Sequence, residues 1–407
     1  MSENRRPLRV GMLTPSSNTC LEPVTYGLLQ GAPGLATAHF ARVPVTRIAL
    51  DTGSDAQFAP EPMLAAARQL ADAKVDVLVW NGTSGSWLGI ERDRALAAAL
   101  TAETSIPATT STLALLDACA AYGVSRLGLA LPYTRDVADA IVSTYAKEGL
   151  ECVLAEPFGE HDNEAFARIP PADVARQVEA AATDGAQAVA VVCTNVYGAF
   201  EADRLERALD LPVFDSVSAT LWRALDLAGA RPSWSGHGQL LRDGSLRAHV
   251  QSTLEVLLAA TGADRTTFRV DLPEHGLHVD LTAGEALGPG VRSIRRDASL
   301  DQRRLNTVEW LEAERRALVQ PHFREAPHPP EALIDVYGVR AQMLSPVQTG
   351  TVQTDTAQTD IAQTGSAQSR TALTGWISVH STRERDWTDA DRQALAAATT
   401  ELTAQLP

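Results

Sequence analysis

Short apolar runs alternate with alanine-rich stretches over the first 240 residues of this chain, and this alternation restricts the fold more than any other feature. The apolar runs predict strands at 8–13, 75–80, 126–131 and 186–192, and the longer stretches predict helices at 63–73, 91–102, 111–122 and 171–182. Strands separated by helices pair in parallel, because a parallel pair needs a long crossover between its strands. We therefore predict an α/β fold with parallel sheets, in which ligands bind beyond the carboxyl ends of the strands.

Three strand-to-loop units recur in the same order within these residues. The run LTPSSNT at 13–19 is matched by ALPYTRD at 130–136, and NGTS at 81–84 is matched by CTN at 193–195. The Ile-Pro pair at 106–107, before a Ser/Thr-rich helix start, is matched by the Leu-Pro pair at 211–212. Proline and hydroxyl residues are common after strands, so one match alone would carry little weight. Three matches in order predict two pseudo-symmetric, Rossmann-like lobes.

The charge balance and the hydropathy exclude several kinds of partner. The 407-residue chain has 35 Lys and Arg against 50 Asp and Glu, a net charge of −15, whereas nucleic-acid binding needs clustered cations. No apolar run reaches the length of about 18 residues that a membrane span needs, and the first residues lack the apolar region of a signal peptide. We therefore expect a cytoplasmic protein that binds neither nucleic acid nor membrane.

The cysteines give no sign of a disulfide framework or a metal site. Cys20, Cys119, Cys152 and Cys193 all lie in the first half of the chain, and their spacing matches no common metal-ligand pattern. We therefore predict no metal, and a thiol used in chemistry stays possible.

Polar residues at the predicted strand ends are suited to binding a small acid. They are Ser17, Asn18, Gly82, Thr83, Ser84, Tyr133, Cys193, Thr194 and Asn195. Hydroxyls and backbone N–H groups at a helix start can hold a carboxylate and stabilise an enolate-like intermediate. Structural explanations stay open: Cys193 can be a small core residue, Tyr133 can pack on the sheet edge, and the loops can be plain turns or helix caps.

At these residues the chain resembles the aspartate/glutamate racemase superfamily, in the branch of maleate cis-trans isomerase and arylmalonate decarboxylase. The resembling stretches lie at 14–19, 82–86, 131–134 and 191–195, within residues 7–242. The resemblance implies two Rossmann-like lobes with the active site between them and a small dicarboxylate substrate. It also implies an enzyme that uses no metal and no organic cofactor.

The family usually places one cysteine on each lobe, and this chain departs from that pattern. In the isomerases the first cysteine attacks the alkene; the matching position here is Gly82, so only Cys193 remains. By resemblance to the arylmalonate decarboxylases, Cys193 is the catalytic residue that protonates an enediolate after CO₂ leaves a substituted malonate or a related diacid. The resemblance assigns substrate binding to Ser17, Asn18, Gly82, Thr83, Ser84, Tyr133, Thr194 and Asn195.

Two alternatives stay open. One is a maleate isomerase or racemase-like enzyme that works without the first cysteine, with Cys20 as a replacement base. The other is a lobe pair without activity that serves as a small-ligand sensor. If Cys193 is catalytic, we expect it to be the most readily alkylated of the four cysteines, and we expect a Gly82→Cys variant to gain proton exchange on the second face of the substrate.

The second part of the chain is predicted to be a separate domain of another class. A stretch rich in Gly, Pro and Ser at 231–245 places the boundary near 243. The patterns beyond it predict helices at 249–261 and 389–406 and an antiparallel sheet with strands at 265–270, 334–343 and 373–381. The N-cap of the last helix is predicted to be Thr388 or Asp389.

Residues 243–407 resemble a GAF domain in three stretches, at 261–268, 373–380 and 385–391. The resemblance implies an α+β domain with an antiparallel sheet that binds an unknown small ligand, in a protein that forms a homodimer or a larger homo-oligomer. A pentapeptide repeat with Gln and Thr at 347–371 departs from this resemblance. The repeat unit is too short and too polar to bury a core, so we expect a disordered insert.

Overall fold

The computed structural model describes residues 6–154, 157–183, 185–297, 299, 301–348 and 373–406. The chain forms two compact units, Met1–Ala248 (unit 1) and His249–Pro407 (unit 2). The units divide within helix α12 (Gln239–Thr261), a few residues beyond the boundary expected near 243, because the chain continues there as one helix. Among the described residues, no helix has the length and apolarity needed to cross a lipid bilayer.

The first lobe of unit 1 is built on a parallel four-stranded sheet. Its strands, in spatial order, are β2 (Ala36–Val43), β1 (Leu8–Pro15), β3 (Val77–Trp80) and β4 (Ala108–Thr110). Its helices are α1 (Leu21–Leu29), α2 (Thr52–Ala56), α3 (Pro60–Asp72), α4 (Gly85–Leu88), α5 (Ile90–Thr104) and α6 (Ser111–Tyr122). All four side chains of β3 are buried, as expected for a strand with helices on both faces of its sheet.

The second lobe repeats this arrangement. Its parallel strands, in spatial order, are β6 (Glu151–Leu154), β5 (Arg126–Ala130), β7 (Ala188–Val191) and β8 (Val213–Asp215). Its helices are α7 (Arg135–Lys147), α8 (Asn163–Phe166), α9 (Pro171–Ala181), α10 (Ala202–Leu209) and α11 (Ser216–Leu227). The order of the strands along the chain is the same in both sheets, so the α/β fold with parallel sheets predicted from the sequence is confirmed.

One hydrophobic core runs through both lobes. It contains residues from both central strands, such as Val79 of β3 and Val189 of β7, together with Trp222 of α11. Helices α6 and α11 pack against each other, and the Thr220 hydroxyl lies 2.8 Å from that of Ser111. This shared core positions the strand ends of one lobe relative to those of the other.

Unit 2 contains a five-stranded antiparallel sheet. In spatial order its strands are β10 (Gly284–Leu287), β9 (Arg265–Val270), β13 (Gly375–Ser381), β12 (Ala341–Val347) and β11 (Leu318–Gln320). Its further helices are α13 (Asn306–Glu314), α14 (Glu331–Asp335) and α15 (Asp389–Gln405). The predicted antiparallel sheet is therefore present.

The strand predicted at 334–343 is wrong over its first half. Residues Glu331–Asp335 form helix α14, which begins after Pro330, and the strand starts only at Ala341. Proline suits a helix start, and Gly338 adopts a φ of 68° that ends the helical segment. A short apolar run between two such residues does not distinguish helix from strand.

The predicted insert at 347–371 lies almost entirely outside the described residues. Only Val347 and Gln348 of this stretch are described, and Val347 ends β12 and pairs with Gly375 of β13.

Helix α15 begins with a reciprocal pair of hydrogen bonds. The Thr388 hydroxyl accepts from the Asp391 amide at 3.1 Å, and the Asp391 carboxylate accepts from the Thr388 amide at 2.8 Å. Both bonds satisfy amides that lack a partner within the helix. Thr388 is therefore the N-cap, one of the two residues that the sequence suggested.

We expect Thr388→Ala to destabilise the first turn of α15 by about 1 kcal/mol, because the Asp391 amide loses its acceptor. Hydrogen-exchange mass spectrometry should show faster exchange of the amides in the first turn of α15. The exposed Thr400, in the middle of the same helix, is the matched control, and Thr400→Ala should leave that exchange unchanged. Equal exchange in Thr388→Ala and the parent protein would contradict the role of this cap.

Candidate active site

Four loops at the carboxyl ends of parallel strands meet in unit 1. They follow β1, β3, β5 and β7, and hydrogen bonds join them. The Thr194 hydroxyl donates to the Asn81 carbonyl at 2.9 Å, and the Asn18 amide donates to the Thr194 carbonyl at 3.1 Å. The hydroxyls of Thr83 and Tyr133 lie 2.8 Å apart. The structure thus brings together the loops that carry all the site residues predicted from the sequence.

Cys193 lies two residues after the end of β7 and is only 3% exposed. Its amide donates to the Ser216 hydroxyl at 3.1 Å, and its Sγ accepts from the Asn195 amide at 3.3 Å. Burial raises the pKa of the Cys193 thiol to about 12; hydrogen bonds from Asn195 and Tyr133 act in the opposite direction, and the nearby Asp215 adds to the increase. At neutral pH this group is a protonated thiol, which can give a proton.

Tyr133 links the thiol to the loop after β3. Its hydroxyl hydrogen-bonds with both Cys193 and Thr83. The ring is held between Trp87 and Phe166, with centroid distances of 5.2 and 5.4 Å. Burial raises the pKa of Tyr133 well above its usual value, so the hydroxyl keeps its proton and can donate it in a hydrogen bond.

Gly82 lies against the indole of Trp80. A Cβ atom at position 82 would stand 2.5 Å from two ring carbons of Trp80, closer than any real contact of this kind. Trp80 is fully buried, and its Nε1 donates to the Ser84 hydroxyl at 3.2 Å, so the ring cannot move without breaking that bond. A side chain at position 82 would therefore overlap the Trp80 ring.

The short helix α4, which follows Ser84, is supported by a buried carboxylate. Asp93 accepts a hydrogen bond from the Thr110 hydroxyl at 2.6 Å and another from the Gly85 amide. Burial raises the pKa of Asp93 to about 6. Its contacts hold the loop that presents Thr83 and Ser84.

The side chains of Ser17, Asn18 and Asn195 bond mainly to the backbone of the loops. Asn18 Oδ1 accepts from the amides of Cys20 and Leu21 at 3.0 and 2.9 Å, at the start of α1. Asn195 Oδ1 accepts from the amides of Thr19 and Cys20, and the Ser17 hydroxyl donates to the Val45 carbonyl at 2.7 Å. These three residues shape the site, and their hydrogen-bonding groups are already used within the protein.

One group near the thiol, the Asp215 carboxylate, was not singled out from the sequence. Asp215 is fully buried and caps α11, where it accepts from the amides of Val217 and Ser218 through Oδ1. Its other oxygen has no hydrogen-bond partner in the described part of the chain, and burial raises its pKa to about 7. The Trp87 indole N–H, beside Tyr133, is likewise buried without a partner there. The matched helix start that follows the Leu-Pro pair at 211–212 was a signal for Asp215, but its distance from Cys193 is set by packing.

Cys20 is also near this cluster. It lies just before α1 and is fully buried, and burial raises the pKa of its thiol, with smaller contributions from Asp215 and Cys193. A second thiol is therefore placed near Cys193, and it too is protonated at neutral pH.

Comparisons with known proteins assign the family. The family model described as "Arylmalonate decarboxylase" matches residues 48–241. The arylmalonate decarboxylase of Bordetella bronchiseptica is 33% identical over 184 residues, which cover 43% of this chain and 74% of that protein. This chain belongs to the arylmalonate decarboxylase family. The maleate isomerase of Pseudomonas putida is 26% identical over 250 residues, 57% of this chain and 96% of that enzyme.

Solved structures agree with this family assignment. A cysteine-to-alanine variant of the maleate isomerase Iso from Pseudomonas putida S16, with maleate, is similar with a TM-score of 0.54 at 25% identity, covering 58% of this chain and 98% of that chain. A double mutant of arylmalonate decarboxylase in its liganded form, with a glycine changed to cysteine and a cysteine to serine, has a TM-score of 0.50 at 26% identity, with 58% and 99% covered. The prediction of a lyase or isomerase of this family is confirmed.

We expect Gly82→Ala to lower the free energy of unfolding by about 1–3 kcal/mol, because the new methyl group overlaps the Trp80 ring. In a Trp80→Leu background the same change should cost much less, with a coupling of about 1 kcal/mol or more. Urea denaturation of the four proteins of this cycle measures the effect. Gly53→Ala, at an exposed position in α2, is the control and should cost little. Additive effects at positions 80 and 82 would show that the two do not collide.

The burial of Cys193 reverses the order of thiol reactivity expected from the sequence. Cys152 on β6 is partly exposed, whereas Cys20, Cys119 and Cys193 are buried. In the native protein at pH 8, iodoacetamide should therefore modify Cys152 first, because the thiolate is the reactive form and access limits the others. Peptide mapping by mass spectrometry gives the order, with the unfolded chain as the control in which all four react alike. Modification of Cys193 first would mean that its thiol is more open or more acidic than its burial indicates.

Proposed function

We propose that this protein is a cofactor-independent decarboxylase of a substituted malonate or a related small diacid. The observation that carries this proposal is the buried, protonated thiol of Cys193, with Gly82 closed against Trp80 on the loop after β3. An enzyme with one protonated thiol can deliver a proton to one face of a carbanion. It lacks a cysteine at position 82, which two-face proton exchange uses in the family.

The proposed reaction has three parts. The bond between the substrate's α-carbon and one carboxylate breaks, CO₂ leaves, and the electron pair stays on the remaining fragment as an enediolate. The Cys193 thiol then gives its proton to the α-carbon, which leaves a monoacid and a thiolate. Water returns a proton to the thiolate before the next turnover.

Hydroxyl groups around the thiol are suited to stabilising the enediolate. Tyr133 and Thr83 are hydrogen-bonded to each other and Ser84 follows in the same loop; all three are nearly buried. Fixed donors in a site with little water stabilise developing negative charge more strongly than water does. The Trp87 indole N–H, which has no partner in the described residues, is a further donor at this site.

The ionisation of the thiol favours decarboxylation over isomerisation. Addition of sulfur to an alkene requires a thiolate, but with a pKa of about 12 only about one Cys193 thiol in 10⁵ is ionised at neutral pH. Protonation of an enediolate requires the thiol form, which is the dominant one here. Arylmalonate decarboxylase supplies a parallel, since its solved double mutant replaces one glycine and one cysteine. Gly82 and Cys193 are the same two residue types.

Maleate isomerisation is the second candidate. It is favoured by the placement of Cys20, whose thiol lies close enough to Cys193 for the two to influence each other's charge. The match to the maleate isomerase of Pseudomonas putida also extends over almost the whole of that enzyme. In this reading Cys20 would replace the cysteine that is missing at position 82.

The roles proposed for unit 2 rest on the sequence. The family model ends at residue 241, so the GAF resemblance of residues 243–407, the small ligand it implies and the homo-oligomer stay predictions. The cytoplasmic location is a prediction as well.

We expect the protein to release CO₂ from at least one member of a panel of aryl- and alkyl-substituted malonates. Cys193→Ala should lower the rate by about 10²–10⁴-fold, the usual contribution of a positioned proton donor. Cys152→Ala, which removes a thiol from β6, should retain the rate. Circular dichroism and thermal melting should show that both variants are folded.

The same samples should be tested with maleate by NMR. Fumarate formation without CO₂ release from any malonate would support the isomerase and contradict the decarboxylase. Turnover of a malonate that persists in folded Cys193→Ala would show that this thiol is not the proton donor.

A further inference from the structure

One face of the sheet in unit 2 carries polar side chains where a buried sheet face usually carries apolar ones. Side chains two residues apart along a strand share a face. On β9 this face carries Arg265, Thr267 and Arg269, and on β13 it carries Ser378 and His380; all five are buried. The register places Arg265 opposite His380 and Thr267 opposite Ser378, so these residues form one continuous patch. We call this set the polar sheet face.

The opposite face of β9 is the one that packs on helix α12. The Thr266 hydroxyl donates to the Leu254 carbonyl of α12 at 2.8 Å, and Phe268 and Val270 are buried. That face supplies the apolar contacts that hold the sheet. The polar sheet face does not supply such contacts. Burying its polar groups costs free energy unless partners satisfy them, which suggests that this face binds a polar partner.

A cavity lies over the polar sheet face. Its floor on the sheet carries Thr267, Arg269, Ser378 and His380 together with the apolar Leu344 and Trp376. The other lining residues include Asp297 and the apolar Leu305, Val308 and Leu333. The cavity has a volume of about 40 Å³, which is room for about three water molecules. It is partly open, so a larger ligand can extend outwards.

Arg269 is a buried cation whose hydrogen bonds go to backbone carbonyls. Its guanidinium donates to the backbone carbonyls of Val279 and Asp280 at 2.7 and 2.8 Å, and no acidic side chain of the described residues forms an ion pair with it. Burial lowers its pKa to about 10, so the group stays charged at neutral pH. A buried charge with only neutral partners is costly, and an anion in the cavity would offset that cost.

Three acidic residues, Glu285, Asp280 and Asp297, lie close enough for their charges to raise the pKa of Arg269. Glu285 lies 3.6 Å from the guanidinium of Arg265 and accepts from the Ile294 amide at 2.9 Å. Asp297 accepts from the Tyr337 hydroxyl and from the Ser299 amide. None of the three forms an ion pair with Arg269 in the described residues, so its guanidinium can still pair with the carboxylate of a ligand.

His380 adds a neutral donor to the same cavity. Its Nδ1 lies 3.4 Å from Nη1 of Arg265, which can only donate, so Nδ1 accepts and Nε2 carries the proton. Burial lowers the pKa of His380 well below its usual value, and the two arginines act in the same direction. The imidazole is thus uncharged and leaves Arg269 as the cationic group of the floor.

We propose that this cavity is a binding site for a small carboxylate with an apolar body. The carboxylate sits against Arg269, with the hydroxyls of Thr267 and Ser378 beside it, and the apolar body lies along Trp376 and Val308. The cavity is built entirely from residues of unit 2. The site is therefore independent of the reaction proposed for unit 1.

Isothermal titration calorimetry on the full chain tests this site, with phenylacetate and isobutyrate as probes. Arg269→Gln should weaken the binding of these probes by about tenfold or more, because it removes the charge that pairs with the carboxylate. Arg304→Gln, at a highly exposed arginine of unit 2, is the control and should bind like the parent chain. CO₂ release by unit 1 should be the same in both variants, which separates this site from the catalytic one.

Two further measurements decide the ligand class. Phenylacetamide, which has the same shape but no charge, should bind at least about tenfold more weakly than phenylacetate. Inorganic phosphate should compete poorly, because the site offers an apolar wall. Phosphate that binds as tightly as the carboxylates would overturn the assignment in favour of a general anion site.

If Arg269→Gln does not fold, the milder variant Ser378→Ala is used in its place. Ser378→Ala removes one hydroxyl from the floor and should weaken carboxylate binding several-fold, while thermal melting stays near that of the parent chain. Binding of phenylacetate that is unchanged in every folded variant of the floor would place the ligand elsewhere and overturn the proposal.

Discussion

Hydrogen bonds between the loops at the strand ends set the geometry on which unit 1 depends. Thr194, on the loop after β7, bonds to the Asn81 carbonyl after β3 and receives the Asn18 amide from the loop after β1. These loops come from different lobes, so the bonds fix one lobe against the other. The Cys193 thiol and the hydroxyls of Thr83, Ser84 and Tyr133, to which we assign chemistry, lie on such loops, and a shift of the lobes would separate the thiol from these hydroxyls.

Trp80 prevents a side chain at position 82, on the side of the site formed by the loop after β3. Its indole occupies the space in which a side chain at position 82 would stand, and it also holds the Ser84 hydroxyl. The absence of a cysteine at position 82 is thus part of a packed arrangement. Burial then determines what the remaining thiol can do, because a thiol with a raised pKa gives protons and rarely acts as a nucleophile.

The two units use buried polar groups in different ways. In unit 1, polar side chains at the strand ends such as those of Asn18 and Asn195 form hydrogen bonds with backbone amides of the loops. In unit 2 the polar side chains lie on the floor of a cavity, and Arg269 has only carbonyl partners. Groups of the first kind fix the positions of the loops, and groups of the second kind can still form hydrogen bonds with a ligand.

The sequence by itself determined the class of the fold and the edge at which the site lies. Helix α6 and strand β9 have the bounds that periodicity predicted, and the repeated loops meet because the carboxyl ends of parallel strands share one edge. It did not separate α14 from β12, because a short apolar run suits a helix and a strand equally. Only the tertiary structure decided that Trp80 fills the space beside Gly82, that Asp215 lies near Cys193 and that Arg269 faces a cavity. Those facts depend on distances between residues far apart in the chain, and packing of the whole unit sets such distances.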